Sequence, residues 1–314
     1  MATTANAAPA LRKRRLVRGE TVAFYVFVLP WIIGFIVFTL GPMLASVYLS
    51  LTEYDMMTPP RWIGTKNFER MLYGDKLFWH SLWVTVTYAV FHIPLTIAFA
   101  LGAALLLNQK LHGISAFRTI FFLPAILPAI ASSILWWYVF NKDYGLVNTV
   151  LGFAGIRGPA WLDDSTTALW AVVIIGLWGF GYTMVIFLAG LQGVPQELYE
   201  AAEIDGAGRW TKFWHVTLPM ISPVMFFNLT IGTIGTFQVF TPAFVLGSVL
   251  SGQGSSGPAN SLLFYALYLY NNAFRFLNMG YAATLAWFLF VIIVIVTIIH
   301  FAVGRHWVYY PGGR

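Results

Sequence analysis

The sequence predicts an all-α integral membrane protein with six transmembrane helices, and three observations carry that prediction. The 314 residues are 59% hydrophobic and only 10% charged, with a mean hydropathy of +0.73, whereas a soluble domain carries about 25% charged residues. The charged side chains are spaced so that long uncharged runs lie between them, at 21–52, 77–109, 119–141, 165–196, 213–274 and 276–304. Each run exceeds the ~20 apolar residues that cross ~30 Å of hydrocarbon. The net charge of +6 is unevenly distributed along the chain. A water-facing surface of ordinary polarity cannot be built from this composition, which excludes a soluble enzyme, a nucleic-acid-binding module and a disordered tail protein. The absence of cysteine excludes disulfides, thiolate zinc sites and cysteine nucleophiles.

The elements follow in order. A basic N-terminal tail, 1–20, holds Arg12, Lys13, Arg14, Arg15 and Arg18, and lipid headgroups are its simplest partner. The first span, 22–50, is too long for a signal-peptide core and is expected to stay as an anchor. The second, 83–107, is separated from the third, 118–140, by Lys110 and Arg118. Pro94, Pro124 and Pro128 are expected to kink these two helices and release carbonyls, either to shape a cavity or simply to bend them. The fourth span is 168–190. The run 213–274 could hold two spans, but its middle, 247–261, reads GSVLSGQGSSGPANS, which is polar and flexible. The fifth span is therefore 217–246. The 13 residues of 262–274 are too short to cross and read as an interfacial helix with tyrosines at headgroup level. The sixth span is 280–304, followed by a tail, 305–314. The six-span domain is thus 21–304.

Six spans put both termini on one side. The tails and the loops 108–118 and 191–214 hold 11 of the 18 Lys and Arg residues, and the whole +6 falls in this set. The positive-inside rule makes it cytoplasmic.

One cytoplasmic loop differs from the rest. Between spans four and five, residues 190–223 read GLQGVPQELYEAAEIDGAGRWTKFWHVTLPMISP. Pro195 suits a first helical position, and Glu197 and Glu200 suit the positive end of the helix dipole. Leu198, Ala201 and Ala202 share a shallow face. Gly206 and Gly208 are expected to end the helix in a left-handed residue. Arg209, Trp210, Lys212, Phe213 and Trp214 read as an interfacial return to the membrane. On these features alone the loop is an ordinary interfacial helix.

The residues Glu200-Ala201-Ala202, then Gly206, Val216 and Leu218-Pro219, resemble the EAA signature of bacterial ABC importer permeases, with Val216 where isoleucine is usual. The segments 269–274 and 279–284, and 30–52 around Pro30 and Pro42, are similar to the sugar-permease branch related to the maltose and glycerol-phosphate importers. The 31-residue first outer loop leaves no room for the soluble domain inserted in the maltose permease. The resemblance implies a coupling helix within 191–214 that docks on an ATPase through Glu200, Ala201, Ala202, Asp205 and Gly206. It also implies a second, homologous permease, an ATPase dimer carrying ATP and Mg, an extracytoplasmic solute-binding protein, and a bacterial inner membrane.

The chain carries no motor of its own: no Gly-Lys dipeptide exists, so there is no P-loop. No two histidines stand four apart, so a helical zinc site is not expected, and no cofactor, catalytic residue or other metal site is expected in this chain. Ionisable residues lie almost wholly outside the spans, which argues against ion-driven transport and for a neutral cargo. A sugar would need hydroxyl partners and flat surfaces. The maltose-type resemblance places these on spans four and five, at Trp178, Gly179, Tyr182, Gly232, Gly235, Thr236, Gln238 and Val239, although tight helix packing explains the same residue types. Asn228 reads as a helix–helix hydrogen-bonding residue. The alternatives are another solute, such as glycerol phosphate, or a membrane assembly protein without transport. The Asp163-Asp164 pair, the nearest thing to a catalytic cluster, reads as a cap before span four.

Overall fold

The computed structural model describes residues 18–109, 112–251 and 256–309. Arg12, Lys13, Arg14, Arg15, Lys110 and the last five residues of the C-terminal tail lie outside the described residues.

Helix α1 (Arg18–Phe35) passes through a π-helical turn (Ile36–Leu40) into α2 (Gly41–Ser50). Strands β1 (Thr52–Glu53) and β2 (Arg61–Trp62) form a small antiparallel hairpin with Thr52 opposite Trp62. Helix α3 (Lys66–Glu69) continues as a π turn (Arg70–Gly74) to Asp75 and then α4 (Lys76–Leu107). The Asp75 Oδ1 accepts the amides of Leu77 and Phe78 at 2.9 and 3.1 Å, which satisfies two orphan donors. That cap starts the helix at Lys76, ahead of the expected 83.

Next come α5 (Ile114–Ile126) and α6 (Ala129–Val139), whose axes differ by 99°. The expected continuous span 118–140 is therefore broken. Leu127 is extended, with φ −66° and ψ 138°, as the residue before Pro128 must tend to be. By contrast α4 runs unbroken through Pro94. Helix α7 (Leu146–Phe153) lies in the following connection. Helices α8 (Ala168–Trp178) and α9 (Gly181–Gln192) meet at 46°, so span four is also broken.

The acidic loop holds α10 (Gln196–Ile204), α11 (Arg209–Lys212), a π turn (Phe213–Thr217) and α12 (Leu218–Met220). Then come α13 (Ser222–Phe237), α14 (Thr241–Ser251), α15 (Tyr265–Tyr270) with its π turn (Asn271–Arg275), and α16 (Met279–Trp307). The expected fifth span, 217–246, is displaced. It starts at Ser222 and stays helical through 247–251, which were expected in the polar loop. Among the described residues four stretches are long and apolar enough to cross a membrane: Val22–Ser50, Lys76–Leu107, Ser222–Val249 and Met279–Trp307.

Most of the segment 262–274 is packed into the bundle rather than laid on its surface, with Phe274 exposed. Leu262, Phe264, Tyr265 and Leu267 are fully buried. The Tyr265 amide donates to Thr85 Oγ1 and its hydroxyl to the Leu285 carbonyl, both at 2.8 Å. Tyrosines whose hydroxyls find protein partners can serve as core residues, and here they plug the bundle.

Side-chain clusters give the helix directions. The first half of α4 (Val84, Tyr88) packs with Val172 and Ile175 of α8, Leu246 of α14 and Phe264. Its second half (Ala100, Ala104) packs with Met184, Phe187 and Leu188 of α9 and with Ile221. Helices α8 and α9 therefore run with α4, and α13 and α14 run against it. The α5–α6 pair returns: Arg118 Nη2 donates to the Leu107 carbonyl at 3.0 Å, and Phe140, just past α6, meets Trp161 at 5.3 Å. Helix α2 lies antiparallel on α16 through Ser50–Thr284 and Ser46–Trp287 hydrogen bonds. Gly280 permits the close approach, since a Cβ there would sit 2.1 Å from the Thr52 carbonyl oxygen. At the other end of α16, the Tyr309 amide donates to Ser222 Oγ at 2.8 Å. The bundle thus has a hairpin end and an α10 end, about 43 Å apart at 1.5 Å per residue along α16.

Candidate functional site

Two candidate regions need placing: the α10 module and the facing surfaces of α9 and α13. In the first, Pro195 is the N-cap of α10 rather than its first residue, and Glu197 sits in the first turn. The helix ends as its glycines predict. Gly206 is left-handed at φ +76°. Its amide donates to the Glu203 carbonyl at 3.0 Å, and the Ala207 amide to the Ala202 carbonyl at 2.8 Å, the paired bonds of a Schellman stop. Two cross-links then fix the return segment against the helix. The Tyr199 hydroxyl and Thr217 Oγ1 hydrogen-bond at 3.0 Å, and Lys212 Nζ meets Glu203 Oε1 at 2.6 Å.

The outward face of this module is open. Glu200, Ala201, Asp205 and Gly206 are exposed, and Ala202 is half-buried. Sequence reasoning missed Ile204, 87% exposed, and the weight of Trp210, 76% exposed. Ile204 stands three residues after Ala201, so the helical period that grouped Leu198 with Ala201 could have found it. It also missed the Tyr199–Thr217 tie, which spans two elements and has no local signal.

The predicted solute-path residues do not converge on one pocket. Trp178 is half-buried with its ring edge-on to Trp136 at 5.5 Å, and Tyr182 is exposed, edge-on to Phe122 at 5.2 Å. The break at Gly179 and Phe180 separates them, so they are not an i, i+4 pair on one helix. On α13, Gly232 and Thr236 line a small cavity of about 40 Å³ with His92, Thr96, Thr183 and Asn228. Gly235 and Gln238 are exposed instead. Val239 packs on the α8 core, beyond the end of α13. A Cβ at Gly232 or Gly235 would meet nothing within 4 Å, so both face open space. Thr236 Oγ1 donates to the Gly232 carbonyl of its own helix at 2.7 Å. Asn228 likewise donates to Val224 of its own helix at 3.1 Å, not to a neighbouring helix as expected. The cavity has room for a water or two, not for a sugar ring. Its unpredicted wall comes from α4, where His92 stacks on Tyr88 with ring centroids 4.7 Å apart.

At the hairpin end a polar cluster went unread. The Asp75 Oδ2 accepts the hydroxyls of both Tyr268 and Tyr281, while its Oδ1 caps α4. Three elements remote in sequence meet on one carboxylate, and no spacing rule reveals that. Asp164, expected to cap span four, instead accepts the Thr166 amide at 2.8 Å and the Thr166 hydroxyl at 2.9 Å. These bonds hold its carboxyl below the usual range. Helix α8 starts after Thr167, without a side-chain cap. Asp163 pairs with Lys142 at 3.8 Å. Among the described residues no three His, Asp or Glu side chains group to hold a metal.

Residues 96–308 match the model of the family described as binding-protein-dependent transport system inner membrane component. The chain is 43% identical to the probable ABC transporter permease protein YesP of Bacillus subtilis (strain 168), over 98% of each chain. It is 38% identical to the lactose transport system permease protein LacF of Rhizobium radiobacter, over 97% of this chain and 99% of that one. Its fold is similar to a chain of the bacterial alginate ABC transporter in complex with alginate pentasaccharide-bound periplasmic protein. The TM-score is 0.77, at 21% identity, over 93% of this chain and 98% of that chain.

Proposed function

Because the chain belongs to the family of binding-protein-dependent transport system inner membrane components, we propose that it moves a sugar or sugar derivative inward as one permease subunit of a bacterial ABC importer. It is a multi-pass inner-membrane transport component, not an enzyme. In this reading each bent pair counts as one span, giving six. The alternation of helices between the hairpin end and the α10 end supports that count. Both termini and α10 lie in the cytoplasm.

The α10 module is the coupling element. Glu200, Ala201, Ala202, Asp205 and Gly206 dock on an ATPase subunit that binds ATP and Mg. A second, homologous permease closes the solute path lined by Trp178, Gly179, Tyr182, Gly232, Gly235, Thr236, Gln238 and Val239. This division of labour accounts for a path that does not close within one chain. An extracytoplasmic solute-binding protein delivers the cargo. The observation that carries the coupling assignment is the exposed helix with a rigid stop and two cross-links. A stiff helix transmits a push, whereas a loose loop absorbs it.

The test is co-purification of the ATPase subunit with tagged permease, together with binding-protein-stimulated ATP hydrolysis in proteoliposomes. Gly206→Val forces a β-branched residue into a left-handed conformation at a cost of about 1–2 kcal/mol. Together with Glu200→Lys, it should leave membrane insertion intact and abolish stimulated hydrolysis. If both variants keep co-purification and stimulation, α10 is not the coupling helix.

A further inference from the structure

Helix α7 is inside out for a helix bathed in water, which would turn its apolar stripe toward the protein. Its inward face is Val147, Asn148 and Leu151, all half-buried. Asn148 spends its amide on protein. Its Nδ2 donates to the Lys142 and Pro159 carbonyls at 3.2 Å each, and its Oδ1 accepts the Trp161 indole N–H at 2.7 Å. The outward face carries Leu146, Val150 and Phe153, four and then three residues apart and all exposed, Phe153 at 88%. Thr149 shares that face, but its hydroxyl donates back to the Gly145 carbonyl at 3.0 Å, so the face offers water no free donor. The nearest charges flank the helix, with Lys142 and Asp143 before it and Arg157 after it. A contiguous exposed apolar stripe of this kind marks a contact surface.

We infer that α7 is an interfacial helix embedded in the lipid leaflet at the hairpin end, with its outward stripe in the acyl–headgroup boundary. Depth and continuity favour lipid over a protein partner. Helix α4 ends at Leu107, whose carbonyl accepts from Arg118 on the returning helix. Counted back from there, the ~20 residues that cross ~30 Å of hydrocarbon reach Tyr88. Tyr88 shares with Phe140 and Leu162 the cluster on which Val147 packs, which sets α7 at the far hydrocarbon boundary. On α6, Ile130, Ile134 and Tyr138 form an exposed stripe at successive four-residue steps. Tyr138 meets Tyr144 with ring centroids 6.4 Å apart, so that surface leads into the α7 stripe through two tyrosines, at the level where aromatic belts sit. The importer reading enters only in making this leaflet the outer one.

The chain has no cysteine, so one introduced thiol can be labelled alone once the other subunits are freed of cysteine. The experiment places a bimane fluorophore at Phe153→Cys or Val150→Cys of the whole importer in phosphatidylcholine nanodiscs. Thr58→Cys, exposed between the hairpin strands, is the water-facing control. Phosphatidylcholine with a nitroxide high on its acyl chain should quench both α7 labels about twofold, as a helix sunk ~5–10 Å into the boundary requires, and should leave Thr58→Cys unchanged. Iodide should quench Thr58→Cys and spare α7. The elution volume of each complex should match the parent. If iodide quenches the α7 labels and the nitroxide lipid does not, the stripe faces water and the inference is overturned. If neither quencher reaches them, a protein covers the stripe and the inference is overturned as well. The leaflet is tested separately in spheroplasts, where a membrane-impermeant maleimide should react with Thr58→Cys. If it reacts only after lysis, the importer orientation falls, while the lipid contact of α7 stands or falls on the quenching alone.

Discussion

The two ends of this bundle are built on opposite plans. At the hairpin end, α4, α15 and α16 converge on the Asp75 carboxylate through Tyr268, Tyr281 and two capped amides. Tyr265, edge-on to Phe78 in the same cluster, is fully buried. At the α10 end, helix α10 buries no residue at all and is tied to its return segment by one hydroxyl pair and one ion pair. Interiors packed like solids resist displacement. A surface helix with two polar ties can move as a unit and still keep its shape. Under the proposed coupling role, the hairpin end would be the fixed reference and the α10 end the moving part.

The largest test of that contrast is Asp75→Ala. It removes the α4 cap and leaves two partly buried tyrosine hydroxyls without their acceptor, a combined loss of about 3 kcal/mol. Thermal unfolding of the detergent-solubilised protein should fall by several degrees, and a stability equal to the parent would mean that the hairpin end is not clamped. The same cluster predicts a pH limit. Burial, helped by the bond to the Asp75 carboxylate, pushes the Tyr268 hydroxyl up to about 12. A raised folded-state value means its contribution is complete below the ordinary tyrosine range near 10. Stability should hold from pH 7 to about 10 and drop as pH climbs toward 12, and Tyr268→Phe should blunt that drop.

Tyr199→Phe probes the other end. It removes one hydroxyl pair worth about 1 kcal/mol, so global melting should barely move. Stimulated ATP hydrolysis should nonetheless fall several-fold, because the helix loses its strut to Thr217. A fall in melting comparable to that of Asp75→Ala would erase the distinction between the ends.

Sequence reasoning read what is local and periodic. The Gly206 stop and the Glu197 first turn are set by neighbours in the chain, and they stand where the residues placed them. The larger misses depend on contacts between distant segments, whereas Ile204 and the Asp164–Thr166 bonds were local signals left unread. The 262–274 segment has the composition of an interfacial helix, but the Thr85 hydroxyl and the Leu285 carbonyl give it buried partners. Prolines were legible only in part. Pro128, preceded by an extended leucine, breaks its helix, while Pro94 sits inside an intact one. Of the residues grouped on span five only Gly232 and Thr236 line one cavity, and the α4 wall that faces them could not be paired from one sequence.

The smallest effect is expected from Lys212→Ala. The Lys212 side chain is 19% exposed and its partner Glu203 61%, so water screens much of the attraction and the pair should contribute well under about 1 kcal/mol. Its value lies in registration, because it holds the return segment against α10 at the same level as the Gly206 stop. Removing it should leave melting and co-purification of the ATPase unchanged and lower stimulated hydrolysis by no more than about twofold. High salt should produce the same small loss in the parent, since salt screens an exposed pair directly. If Lys212→Ala costs as much activity as Tyr199→Phe, the module is held by charge rather than by the buried Thr217 contact, and salt should then uncouple the parent outright.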